Sequence, residues 1–107
     1  MMELLPAELR KQLPKLYDQE KTDDHFVYVK YFLPASNWTW FVTEGEPQGD
    51  DFLFYGYVIG LEKEWGYFTL KQLEEIEFRG LKVERDIYFK QENFSSCLKR
   101  WKLERGG

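Results

Sequence analysis

Apolar residues recur along this chain in two rhythms. Leu5, Leu9, Leu13 and Leu16 fall four, four and three positions apart, the spacing of one helix face. Pro6 suits a first helical turn and Pro14 ends or kinks the helix near Leu13, so residues 4–17 read as a helical start. A polar connector, residues 18–24, follows. From Phe26 the period drops to two. Phe26, Tyr28, Lys30 and Phe32 alternate with Val27, Val29, Tyr31 and Leu33. Neither set is properly polar, which predicts a central strand covered on both faces, ended by Pro34. After a turn at Ala35-Ser36-Asn37, residues 38–43 form a second strand, with Trp38, Trp40 and Val42 on one face and Thr39, Phe41 and Thr43 on the other. Gly45, Pro47 and Gly49 make residues 44–50 a loop by composition. Residues 52–59 form a third strand, bulged or bent at Gly56.

In the second half, residues 60–66 read as a connector and Tyr67-Phe68 as a short strand. Thr69 and Gln72 match a capping box, followed by a helix with Leu70, Leu73 and Ile76 inward that stops before Gly80. Ile87-Tyr88-Phe89 is a candidate fourth strand. Asn93 or Ser95 caps a last helix, about residues 95–104, with Phe94, Cys97, Leu98 and Trp101 on one face. The expected fold is one α+β domain over residues 1–107. An antiparallel sheet of three to five strands is packed by N-terminal, middle and C-terminal helices.

The order of motifs resembles a known family. The carrying segments are Leu13-Pro14-Lys15-Leu16-Tyr17, then Ser36-Asn37-Trp38-Thr39-Trp40 with Thr43-Glu44. Phe54-Tyr55-Gly56-Tyr57-Val58-Ile59-Gly60-Leu61, Gly66-Tyr67-Phe68-Thr69-Leu70 and Val83-Glu84-Arg85-Asp86-Ile87-Tyr88-Phe89 follow. Together they resemble domain-of-unknown-function family 2958, small bacterial proteins common on plasmids and integrated mobile elements. The resemblance spans roughly residues 13–89. It implies a family and a genomic setting, and no activity.

Twenty of the 107 residues are Phe, Tyr or Trp, and each ring buries about 150–250 Å² when packed. Core packing accounts for most of them. A ring left on an outer strand face would be a stacking or hot-spot surface. Net charge is −4, which lowers the expectation of generic phosphate binding. The charge is uneven: residues 44–64 are locally −5 and residues 93–105 locally +3. Cys97 is the single cysteine, so no internal disulfide and no two-cysteine metal pattern exists, and a reducing cytoplasm fits. No apolar run approaches the roughly 20 residues that span a bilayer, and the first residues lack the pattern of a signal peptide.

Candidate chemistry is sparse. His25 follows Asp23 and Asp24, a possible acid–base pair or ligand set, but at a strand start such residues ordinarily face water, and a transition-metal site wants three or four ligands. Glu44, Glu46, Asp50 and Asp51 match no calcium loop and read as a solvated acidic hairpin tip. Glu84-Arg85-Asp86 reads as a salt-bridged register device with Arg85 on a carboxylate. Cys97, near a helix start and followed by Lys99 and Arg100, has features of a nucleophile, yet it lies on the apolar stripe and reads as a buried small hydrophobe. No cofactor or metal is expected, and no catalytic set assembles.

Three functions remain in order. The first is a non-enzymatic interaction module, a protein-binding accessory of a mobile genetic element. The second is a nucleic-acid-binding accessory that stacks bases on its rings and uses a basic C-terminal helix. The third is a small metal-dependent hydrolase. Tentative binding residues are Trp38, Trp40, Tyr55 and Trp65 for the rings, Glu44 and Glu46 for the acidic side, and Lys99, Arg100 and Lys102 for the basic helix. The surface beside the exposed rings discriminates: acid favours a protein partner, base favours nucleic acid, and a cleft with converging carboxylates favours the hydrolase.

Overall fold

The computed structural model describes residues 2–105. Its elements run α1 (Ala7–Gln12), β1 (Phe26–Val27), β2 (Val29–Phe32), β3 (Thr39–Gln48), β4 (Asp51–Ile59), β5 (Lys63–Thr69), α2 (Leu70–Glu75), β6 (Glu77–Phe78), β7 (Leu81–Lys82), β8 (Glu84–Arg85), β9 (Glu92–Asn93) and α3 (Phe94–Glu104). The main sheet has five antiparallel strands in the order β5-β4-β3-β2-β8. β1 pairs with β9 and β6 with β7 in two small ladders. This is the expected α+β architecture, with a meander through β2–β5 and helices from the beginning, middle and end of the chain. No helix among the described residues is long and apolar enough to cross a membrane.

Strand alternation splits the core in two. On one face Val29, Tyr31, Trp40, Val42, Phe52, Phe54 and Phe68 pack under Leu4, Leu5, Leu13 and Leu73 from the N-terminal segment and α2. On the other, Val27, Phe41 and Ile59 pack under Cys97 and Trp101 of α3. α3 therefore presents the face its sequence predicts. Its last turn is held to the sheet by Trp101, whose Nε1 donates to Thr39 Oγ1 at 3.3 Å while Arg105 lies 4.3 Å over the indole. The capping box at α2 is present: Gln72 N–H donates to Thr69 Oγ1, and Thr69 N–H donates to Gln72 Oε1. Asp51 adds a second acceptor for this helix start, taking the Lys71 N–H at 3.1 Å, so two of the amides left free at a helix start are satisfied.

Several expectations are corrected. The first helix is only six residues, because Pro14 removes the donor that would continue it; Leu9 and Leu13 face the core and Leu16 lies beyond in a loop. The first predicted strand breaks at Tyr28, whose N–H reaches across to Val42 O. Residues 44–48 are not loop but the second half of β3, and the turn is confined to Gly49-Asp50, with Gly49 at φ +61°. β4 is regular at Gly56, and the irregularity lies in β3 between Val42 and Glu44. β5 is a full strand of seven residues. Ile87-Tyr88-Phe89 is not a strand: Tyr88 is 87 % exposed, and β2 pairs instead with Glu84-Arg85. α3 is not capped by its own Asn93 or Ser95 side chain; Asp24 does this from 71 positions away, as its Oδ1 accepts the Ser95 N–H at 3.0 Å.

Candidate functional site

Thr43 is an extra residue in β3. The register passes from Val42 opposite Gly56 to Glu44 opposite Tyr55. A bulge of this kind reverses the alternation beyond it, so Glu44 joins the α3 side of the sheet instead of following Val42 into the other core. There it is only 3 % exposed. A buried carboxylate needs donors, and they come from the segment after Pro14. Glu44 Oε1 accepts the Tyr17 N–H at 2.9 Å, Oε2 accepts the Gln19 N–H at 2.7 Å, and Glu46 Oε1 accepts the Leu16 N–H at 3.2 Å. The Gln19 side chain completes the seam, donating to Phe26 O and Thr43 O and accepting the Phe26 N–H. Tyr17 sits at φ +74°, a left-handed conformation rare for a tyrosine, and both its N–H and that of Gln19 converge on one carboxylate.

This seam raises one wall of a groove of about 480 Å³, lined by residues of the 17–25 segment, β3, β4, β5 and the start of α3. The floor is aromatic. Tyr55 and Trp65 stack at 15° with centroids 5.8 Å apart, and Tyr67 lies 5.0 Å from Tyr55. Phe94 of α3 closes the far end at 4.8 Å from Trp65, and His25 sits 5.1 Å from the same indole. Trp65 is 36 % exposed, Tyr67 51 % and Tyr17 63 %. The charged lining is Glu20, Asp23, Asp24 and Glu44, with no lysine or arginine.

The electrostatics follow from these contacts. Hydrogen bonds from the Ser95 hydroxyl and N–H hold the Asp24 carboxyl below its ordinary pKa. The Tyr67 phenol is pushed up to about 12, first by its hydrogen bond with Tyr17 and then by loss of surrounding water. Burial raises Tyr55, and the Glu44 charge adds to it. His25 is not the solvated residue expected: its Nδ1 is buried without a hydrogen-bond partner among the described residues. Among those residues no three His, Cys, Asp or Glu side chains converge to hold a metal ion.

The residues singled out from sequence fall in different places. Tyr55, Trp65 and Glu44 line the groove, and Glu46 braces its wall. Glu44 is buried rather than solvated; only Asp50, at the hairpin tip and paired with Lys71 at 2.7 Å, fits the solvated reading. Trp40 is in the opposite core, and Trp38 packs 5.7 Å from it beside a separate apolar hollow with Leu33, Ile76 and Phe78. Lys99 and Lys102 are exposed on α3 and Arg100 pairs with Glu92 at 3.1 Å; none lines the groove. Arg85 forms no ion pair among the described residues, and it is Asp86 that bridges, to Lys30 at 3.6 Å. Cys97 is buried, as expected. Tyr17, Glu20, Tyr67 and Phe94 were not selected. The left-handed Tyr17 carries no local sequence signal, because the partner that positions it lies on β3; of the 17–25 wall the sequence singles out only Asp23, Asp24 and His25.

Fold and groove together define a small α+β domain with a ring-floored acidic cleft on one sheet face. The chain belongs to a protein family of unknown function, DUF2958, whose family model matches residues 4–104. The match takes in α3, which lies beyond the segments that carry the sequence resemblance. No curated protein and no solved structure matches the chain.

Proposed function

We propose that the protein is a non-enzymatic interaction module that takes a cationic segment of another protein in the aromatic groove. The observation that carries this reading is the coincidence of three exposed rings, Tyr17, Trp65 and Tyr67, with Glu20, Asp23 and Asp24 in a cleft whose lining, among the described residues, has no lysine or arginine and a single histidine, His25. A lysine or arginine over such a ring gains about 0.5–2 kcal/mol, and surrounding carboxylates raise the local concentration of cations. The same carboxylates repel phosphate, which weighs against nucleic acid in this cleft. Two of the four carboxylates are already committed, Glu44 to the Tyr17 and Gln19 amides and Asp24 to Ser95, which supports binding over acid–base chemistry. An accessory role on a mobile genetic element rests on the family's setting alone.

The test is affinity capture from the native host, with and without nuclease, by the wild-type chain and by Tyr17→Ala and Tyr67→Ala. Both rings are exposed enough for the variants to fold. The expected result is a protein retained after nuclease and lost with either variant. Capture unchanged by both variants, or abolished by nuclease, overturns the reading.

A further inference from the structure

β5 is a free edge. Among the described residues it pairs on one side only, with β4, in an unbroken register from Thr69 opposite Leu53 to Lys63 opposite Ile59. Natural sheets blunt such edges with proline, bulges, short strands or inward charges. The opposite edge, β8, is blunted in this way, being two residues long. β5 has seven residues, no proline and no bulge, and its charged side chains, Lys63 and Glu64, are confined to its first two positions, leaving residues 65–69 unguarded. Its centre is open as well, since a Cβ on Gly66 would meet no atom within 4 Å. Trp65 and Tyr67, floor residues of the groove, stand on this strand on the α3 side of the sheet, where α3 reaches only as far as Phe94 against Trp65.

Resting on the groove reading, we infer that the partner supplies an extended segment with lysine or arginine at alternate positions, which adds to β5 as a sixth strand. Strand addition draws affinity from main-chain hydrogen bonds and specificity from alternate side chains. Directly opposed side chains in such a pair stand about 4.5–5.5 Å apart, so every second residue of the added strand lies beside Trp65 and Tyr67, within cation–π range. Those residues face Glu20, Asp23 and Asp24 across the groove, which selects cations. The intervening residues fall on the face of Gly66, where there is room. A second copy of this chain is the less suitable occupant, because it brings its own acidic groove and a net charge of −4 to the same edge.

The probe is a ten-residue peptide of alternating lysine and threonine, titrated by calorimetry and by amide exchange. Two derivatives carry backbone N-methyl groups, one on every lysine amide and the other on every threonine amide. Only one set of amides faces β5 in an added strand, so one derivative loses about tenfold or more in affinity and the other does not. Amides of residues 63–69 gain protection, and Tyr67→Ala weakens binding about tenfold. Equal binding of both derivatives and the parent overturns strand addition and leaves the groove reading standing. No binding of the parent peptide overturns both. Sedimentation showing that the free protein dimerises through β5 gives the edge to a second copy and also overturns the inference.

Discussion

Gly56 and Phe41 lie so close across β3 and β4 that a Cβ on Gly56 would collide with the Phe41 carbonyl oxygen. Gly56 is also the last residue of β4 in regular register before the Thr43 bulge. The close approach and the bulge belong together, since the extra residue sharpens the local twist and carries one backbone toward the other. Gly56→Ala is expected to destabilise by about 3 kcal/mol, at the upper end for overpacking. Gly66→Ala on the neighbouring strand meets no atom and should be neutral or stabilising by about 0.5–1 kcal/mol. Urea titrations of the two variants check the contrast; similar losses in both would assign the cost to strand glycines in general.

Phe41→Ala removes the ring that fills the space between the sheet and α3, where it meets Phe94 edge-on at 6.2 Å. The expected loss is about 3–5 kcal/mol. A denaturation shift below about 1 kcal/mol would mean that α3 collapses into the gap.

Asp24 links stability to pH. Its pKa is depressed in the folded chain by the Ser95 hydrogen bonds, so its contribution is full above the unfolded value near ~3.9. That contribution disappears as pH falls through the lower folded value. Asp24→Asn should therefore melt earlier than wild type at pH 6, and the two melting temperatures should converge as the pH falls through the depressed folded value. A melting difference that stays constant through the acid range would show that the carboxylate adds nothing as an ion.

Cys97 is an inert thiol in the folded chain. Burial pushes it up to about 12, and the Glu92 carboxylate adds to the shift. Labelling by an aromatic disulfide at pH 8 should be slow natively and fast in urea, where the thiol returns to about 8.5. Rapid native labelling would place Cys97 at the surface.

Random duplex or single-stranded DNA should form no tight complex at physiological salt. Residual binding through Lys99, Arg100 and Lys102 should weaken with salt by about 0.9 logarithmic units per duplex phosphate contacted, and vanish when the three become Glu. Sub-micromolar anisotropy binding that survives this triple change would move nucleic acid onto the rings.

Where neighbours in sequence decide structure, the chain is legible. The Thr69–Gln72 capping box, the alternation of Trp40 and Val42 against Phe41, and the Phe94–Cys97–Trp101 stripe all appear as patterned. It is illegible where distant backbone supplies the deciding partner. Gly45, Pro47 and Gly49 mark a loop by composition, yet residues 44–48 are strand paired with β4, and their carboxylates accept the Leu16, Tyr17 and Gln19 amides. Ile87-Tyr88-Phe89 has the higher strand propensity, yet Val83 is buried and draws Glu84-Arg85 beside β2. Half the groove was visible as Tyr55 and Trp65. On its other wall Asp23, Asp24 and His25 read from sequence only as a solvated cluster, and Tyr17 is missed, since the bond that places it comes from Glu44 on β3.

The bond from Asp24 to Ser95 joins residues 71 positions apart, so it forms only after α3 has been made. A nascent chain exposed through Gln91 already owns every residue of the larger core, and those residues can close over it. Val27, Phe41 and Ile59 stay bare until Cys97 and Trp101 emerge. Asp24 waits through the same interval for its helix terminus, with translation running at about 5–20 residues per second. The Phe94 end of the acidic cleft therefore closes only once α3 has emerged, and until then the rings that α3 covers stand open to water and to chaperones.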